Sequence, residues 1–101
     1  MVIEWQRFRV RPDTRDRFLA RDEEIWTAGL AREAGFLGKE VWAGEEDDDV
    51  ILVIRWRSEE EWKAIPPERL ADLEKRFRRE VPDGYEIMES RIFRPLREPR
   101  H

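Results

Sequence analysis

Residues 50–56 read Val-Ile-Leu-Val-Ile-Arg-Trp, and no other stretch of the chain limits the fold as much. A strand with one face in water alternates apolar and polar residues. This one does not: Val50, Leu52, Ile54 and Trp56 fall on one side of the pleat, Ile51 and Val53 on the other. Val50–Trp56 is therefore expected to be a central strand with apolar side chains on both faces. A chain of 101 residues has little material to cover two faces; a domain of this size buries roughly 60–65% of the surface its unfolded chain exposes. A bare second face would be a large exposed apolar patch. The expectation is a homodimer that shares this sheet face, since a few hundred Å² of apolar burial at about 25 cal/mol per Å² contributes several kcal/mol.

The remaining elements follow from pattern and punctuation. Val2–Val10 is a strand rich in β-branched and aromatic residues, ended by Arg11-Pro12-Asp13. Ile3 and Trp5 point one way, and Val2, Phe8 and Val10 the other. From Asp13 or Thr14, either able to cap, an amphipathic helix runs to about Arg32, with Phe18, Leu19, Ile25, Trp26 and Leu30 in one arc. Phe36–Ala43 and Val50–Arg57 are strands joined by the polar run Gly44–Asp49, which makes them a hairpin. In Phe36–Ala43, simple alternation sets Phe36 and Trp42 against Leu37 and Val41, and in the last strand Ile87 and Phe93 against Met88 and Ile92. Ser58 and Glu61 form a capping box for a short helix, Glu59–Ile65. A second helix runs from Pro67 to about Arg79, Pro82-Asp83-Gly84 is a turn, and Tyr85–Arg94 is the last strand.

The order β-α-β-β-α-β predicts an α+β, ferredoxin-like fold: an antiparallel sheet of order 4-1-3-2 with both helices on one face, and a dimeric α+β barrel once two sheets meet. Residues 1–95 form a single domain, and residues 96–101 a basic tail.

Composition excludes several functions. With no cysteine, there are no disulfides, thiolate zinc sites, iron–sulfur clusters or cysteine nucleophiles. The lone histidine, His101, leaves no Ser-His-Asp set and too few ligands for a histidine metal site. Twenty basic and 24 acidic residues are interleaved, so no one-sided basic field exists to hold nucleic acid. Arg94, Arg97, Arg100 and His101 are too few to alter that. The acidic run Glu45–Asp49 lacks the spacing and turn glycine of a calcium loop and reads as a solvated hairpin tip. No apolar run approaches ~18 residues, so no membrane partner is expected. The amino terminus enters a strand pattern rather than a leader, and the expected compartment is the cytoplasm. Neither metal nor cofactor is expected.

Three groups of residues could carry chemistry. Asp22 falls within the apolar arc of the first helix, near Phe18 and Trp26, where a carboxylate is costly unless paired or open to a polar cavity. It reads as a general base or substrate anchor, or else as one half of a structural ion pair; Arg15 lies in the same arc. Trp26 and Trp62 could wall a pocket for a small aromatic ligand, while Trp5, Trp42 and Trp56 read as sheet core. Gln6, Glu40, Arg55, Glu89 and Arg91 sit among apolar strand neighbours, where they line a cavity or pair across strands.

Several segments resemble the antibiotic biosynthesis monooxygenase family of dimeric α+β barrels. They are Phe8-Arg9-Val10 before Pro12, Ala34–Gly38 leading into Glu40-Val41-Trp42, and Arg55–Ser58 followed by Glu61-Trp62. The string Asp22–Thr27 is similar to a subgroup of small bacterial proteins in that family. The resemblance implies a substrate held between a helix and the sheet. The implied function is cofactor-independent oxygenation of a phenol-like or quinol-like compound, with Asp22 as base and Gln6, Trp26, Glu40, Arg55 and Trp62 around the ligand. The alternative is a non-catalytic homodimer, structural or stress-associated, whose interior is filled by side chains. A void of at least ~300 Å³ beside Asp22 separates the two. Haem-degrading members carry a helix histidine as iron ligand, an asparagine on the first strand and a tryptophan. Gln6 and Trp62 stand near the last two, but neither helix here has a histidine, which disfavours haem degradation.

Overall fold

A computed structural model describes residues 1–97 and Arg100; Glu98, Pro99 and His101 lie outside the described residues, and with them much of the expected tail. Four strands form one antiparallel sheet in the order β2-β3-β1-β4, the expected 4-1-3-2. They are β1 (Val2–Val10), β2 (Phe36–Ala43), β3 (Asp49–Trp56) and β4 (Tyr85–Phe93). Val50–Trp56 lies inside the sheet as expected, paired with β1 on one side and β2 on the other.

Helical segments connect the strands. The first begins as α1 (Arg15–Arg21), passes through a π-helical stretch (Asp22–Thr27) and ends as α2 (Ala28–Leu30). In that stretch the Ala28 N–H reaches back five residues to the Glu23 carbonyl. Thr14 is the N-cap of α1, but its hydroxyl bonds Asp13 instead of the helix backbone. The capping box forms as expected: the Ser58 hydroxyl accepts from the Glu61 N–H at 3.1 Å at the start of α3 (Glu59–Lys63). Pro67 sits in the first turn of α4 (Pro67–Glu80), where its missing N–H costs nothing.

The helix-facing side of the sheet carries Val2, Val10, Val50, Leu52, Ile54 and Trp56, all buried. They divide into two apolar clusters. One is built on Phe18, Phe77 and Val10, the other on Trp56, Leu30 and Ile65, and Trp26 and Leu73 touch both. In the first, Phe18 and Phe77 meet edge to face with ring centres 5.4 Å apart.

Two register shifts correct the alternation expected for the outer strands. Phe36 pairs with Trp56 but Gly38 pairs with Arg55, so Leu37 is an extra residue in β2. Beyond this bulge Lys39 and Val41, rather than Glu40 and Trp42, share the helix-facing side with Phe36. A second shift opposite Arg7 and Phe8 puts Ile87 on the helix side and Phe93 on the outer side of β4. Each bulge reverses the faces of everything beyond it.

The outer face is better covered within one chain than alternation suggests. Ile51 lies between Arg7 and Trp42 in the ladder, Val53 between Trp5 and Glu40, and their exposures are 7% and 2%. Apolar exposure on this face is concentrated at Trp42 and Phe93, each close to half exposed. No helix among the described residues is long and apolar enough to cross a membrane. The acids at the hairpin tip are not simply solvated. Asp49 and Asp48 pair with Arg7 and Arg9 at 3.2 and 3.5 Å, and the Asp47 carbonyl accepts from Arg15.

Candidate functional site

Between the helices and the sheet lies a cavity of about 490 Å³. Its floor is the helix-facing side of β1 and β3, with Glu4, Gln6, Phe8, Leu52 and Ile54; its walls include Trp26, Trp56 and Trp62. Glu4 and Gln6 interrupt the apolar face of β1 between Val2 and Phe8, and both line this space.

One buried polar group dominates this cavity. Lys39 Nζ donates to Asp22 Oδ2 at 2.7 Å, and the two side chains are only 2% and 3% exposed. Asp22 begins the π-helical stretch, and Lys39 reaches it from β2 because of the bulge at Leu37. π-Helical turns interrupt α-helices often at functional sites. Glu4 completes the group from β1: its Oε1 accepts the Trp56 indole N–H at 3.2 Å. Burial pushes the Asp22 carboxyl above its ordinary pKa; the charge and hydrogen bond of Lys39 work against this, and Glu23 adds to it. Burial likewise raises Glu4, opposed by the indole hydrogen bond and by Lys39. Asp22 is bonded to the ammonium, while Glu4 feels its charge without bonding to it, and burial raises the pKa of both carboxyls.

At the other end of the cavity Tyr85 packs among Phe8, Phe18 and Phe77, and its hydroxyl is buried with no hydrogen-bond partner among the described residues. Burial raises its pKa, Glu74 adds to the rise, and Arg78 opposes it.

Of the residues singled out from the sequence, Asp22, Gln6, Trp26 and Trp62 come together around this cavity. Glu40 and Arg55 do not. The bulge turns Glu40 to the outer face, where its Oε1 accepts from Arg55 Nε and Nη2 at 2.9 and 2.7 Å. That pair lowers the Glu40 pKa through the Arg55 hydrogen bond. Glu89 and Arg91 also pair on the outer side, at 2.8 Å. Arg15 serves the hairpin tip rather than Asp22. Trp56, expected in the core, is both core and cavity wall. Lys39 and Glu4 are the residues that pattern reading missed. Glu4 was visible as an acid on the same face as Val2 and Phe8. For Lys39 the one signal was Gly38, since glycine inside a strand often marks a bulge.

The antibiotic biosynthesis monooxygenase family model matches residues 1–65, which carry β1, the helix with Asp22, the hairpin and Trp62. No curated protein sequence matches the chain. Among solved structures, SnoaB from Streptomyces nogalater, a cofactor-independent oxygenase, superposes with a TM-score of 0.67 at 18% identity, over 96% of this chain and 94% of that one. Rv0793 from Mycobacterium tuberculosis gives 0.63 at 20% identity, over 96% of both chains. Atu4242 from Agrobacterium tumefaciens gives 0.66 at 17% identity, over 96% and 95%. At these identities the likeness speaks for the fold. The family match spans well over half the chain and includes β1, β3 and the helix with Asp22, which supply part of the cavity lining that α4 and β4 complete: the protein belongs to the antibiotic biosynthesis monooxygenase family.

Proposed function

We propose that this protein is a cofactor-independent monooxygenase that acts, as a homodimer, on a small hydroxyaromatic compound held between the helices and the sheet. The observation that carries this reading is Asp22, a buried carboxyl on the wall of a cavity of about 490 Å³ lined by three tryptophans. A filled interior, as the non-catalytic alternative requires, does not fit a void of that size. Aromatic walls suit a flat ligand, and a carboxyl with a raised pKa suits a base that accepts a proton from a phenol-like hydroxyl. Family membership and the likeness to a cofactor-independent oxygenase support the same reaction class.

The stoichiometry needs no external reductant. A phenol and O₂ give a quinone and water; one oxygen atom enters the ring, and the substrate supplies all four electrons. Asp22 accepts the hydroxyl proton, which leaves an electron-rich phenolate to react with O₂. Oxygen uptake with 1-naphthol and a panel of simple phenols tests this. Wild-type protein is expected to consume oxygen and form quinone, and Asp22→Asn to lose about 10²–10⁴-fold of that rate while staying folded. Uptake that is absent with every compound, or unchanged in Asp22→Asn, overturns the reading.

A further inference from the structure

We propose that Lys39 is the anion-holding residue of the cavity: its ammonium pairs with the phenolate oxygen of a bound hydroxyaromatic ligand once the proton of that oxygen has passed to Asp22. The proposal deepens the hydroxyaromatic reading above and rests on it.

An ammonium carries three N–H donors. Only one from Lys39 has a partner among the described residues, the bond to Asp22 Oδ2. The other two belong to a group that lines the cavity and is almost wholly removed from water. Donors in such a place lack both solvent and protein partners, and a ligand oxygen is the partner the cavity admits. Asp22 Oδ1 likewise accepts no hydrogen bond among the described residues.

The charge count favours transfer within this pair. In the free site Asp22 is the anion that balances Lys39. When a ligand hydroxyl gives its proton to Asp22, the O–H bond breaks, a carboxyl O–H forms, and the negative charge moves to the ligand oxygen. Lys39 then faces one anion as before, so the step buries no additional charge. A neutral hydroxyaromatic can therefore enter an apolar cavity and ionise there. An ammonium preorganised in a water-poor site stabilises the new oxyanion more strongly than water-exposed lysine would. The other charged groups facing the pair are Glu4 from β1 and Glu23 from the same helical stretch as Asp22. Both are acids. The cavity lining holds a second cation, Arg78, but it pairs with Glu74 at 2.7 Å and acts on Tyr85, so Lys39 is the cation that stands beside Asp22.

4-Nitrophenol is a suitable probe, because its phenol and phenolate forms absorb differently and it serves without oxygen. Measured about one unit below its solution pKa, where about a tenth of the free probe is ionised, the probe bound to wild-type protein is expected to show a predominantly phenolate spectrum, a shift of about a hundredfold in its protonation equilibrium. Asp22→Asn leaves Lys39 without its carboxylate; 4-nitrophenol, far more acidic than 1-naphthol, can lose its proton to water without that base and is expected to keep the phenolate spectrum as the new counter-charge of Lys39. Lys39→Met leaves a buried carboxylate without a counter-charge and can unfold the protein, so Asp22→Asn/Lys39→Met is measured beside it. The double variant, neutral at both positions, is expected to bind the probe as the phenol. A phenol spectrum on the wild-type protein, a phenolate spectrum retained by the double variant, or no binding at millimolar probe overturns the proposal. Oxygen uptake is a separate measurement: its absence counts against the oxygenase reading, whereas the spectra alone decide the role of Lys39.

Discussion

Asp22 and Lys39 form an ion pair out of water, and Glu4 adds a second carboxyl with no cation of its own. The pH dependence of stability follows from this imbalance. Burial raises the Glu4 pKa above its unfolded value, so the folded state binds its proton more tightly than the unfolded state does. Stability from this group is then fully present below the unfolded value, about pH 4.3, and is lost as pH rises through the folded value. Glu4→Gln removes that titration and keeps an acceptor for the Trp56 indole. Denaturant unfolding of the two proteins is expected to give similar stabilities near pH 4, with the variant gaining on the wild type as pH rises toward 8. A difference that stays constant with pH would assign Glu4 no titrating role. Of the three side chains, Asp22 was singled out from its position in the helical arc; Glu4 was passed over, although its strand face was legible. Lys39 was not, because its facing depends on a neighbouring residue that leaves the ladder.

At the level of elements, small irregularities place the chemistry. β2 read by strict alternation turns Glu40 toward the helices; the extra residue Leu37 turns Lys39 there and sends Glu40 to Arg55. The first helix read at 3.6 residues per turn has the correct buried residues, Phe18, Ile25 and Leu30, yet its middle is π-helical from Asp22 to Thr27. Neither departure changes which residues are apolar, so neither is visible in hydropathy. The turn into β4 was legible in Pro82-Asp83-Gly84, and Gly84 adopts φ 89° there. Its carbonyl accepts from the Arg11 N–H at 2.8 Å, and a Cβ at this position would collide with the Thr14 hydroxyl. Gly84→Ala is expected to lower stability by about 1–3 kcal/mol, through the strained φ and the displaced Thr14. Thermal unfolding checks this, and an unchanged midpoint would show that the turn relaxes freely.

For the whole molecule, the proposed dimer rests on the outer sheet face. A dimer through this face buries Trp42 and Phe93, which one chain leaves near half exposed, and would cover Ile51 and Val53 further. A standard interface removes about 800 Å² per partner from water. Trp42→Glu places a charge on that face and is expected to turn a dimer into a folded monomer, read by light scattering at micromolar concentration. A wild-type monomer under the same conditions would overturn the dimer. The sequence by itself determined the strand and helix order, the central position of Val50–Trp56 and the sheet order, because side-chain period and turn residues are local properties. What only the tertiary structure decided is which polar residues meet in the cavity. Facing has a period of two, so one bulged residue exchanges Glu40 for Lys39 beside Asp22, and whether a strand bulges is settled by how its partner strand and the helices above it pack.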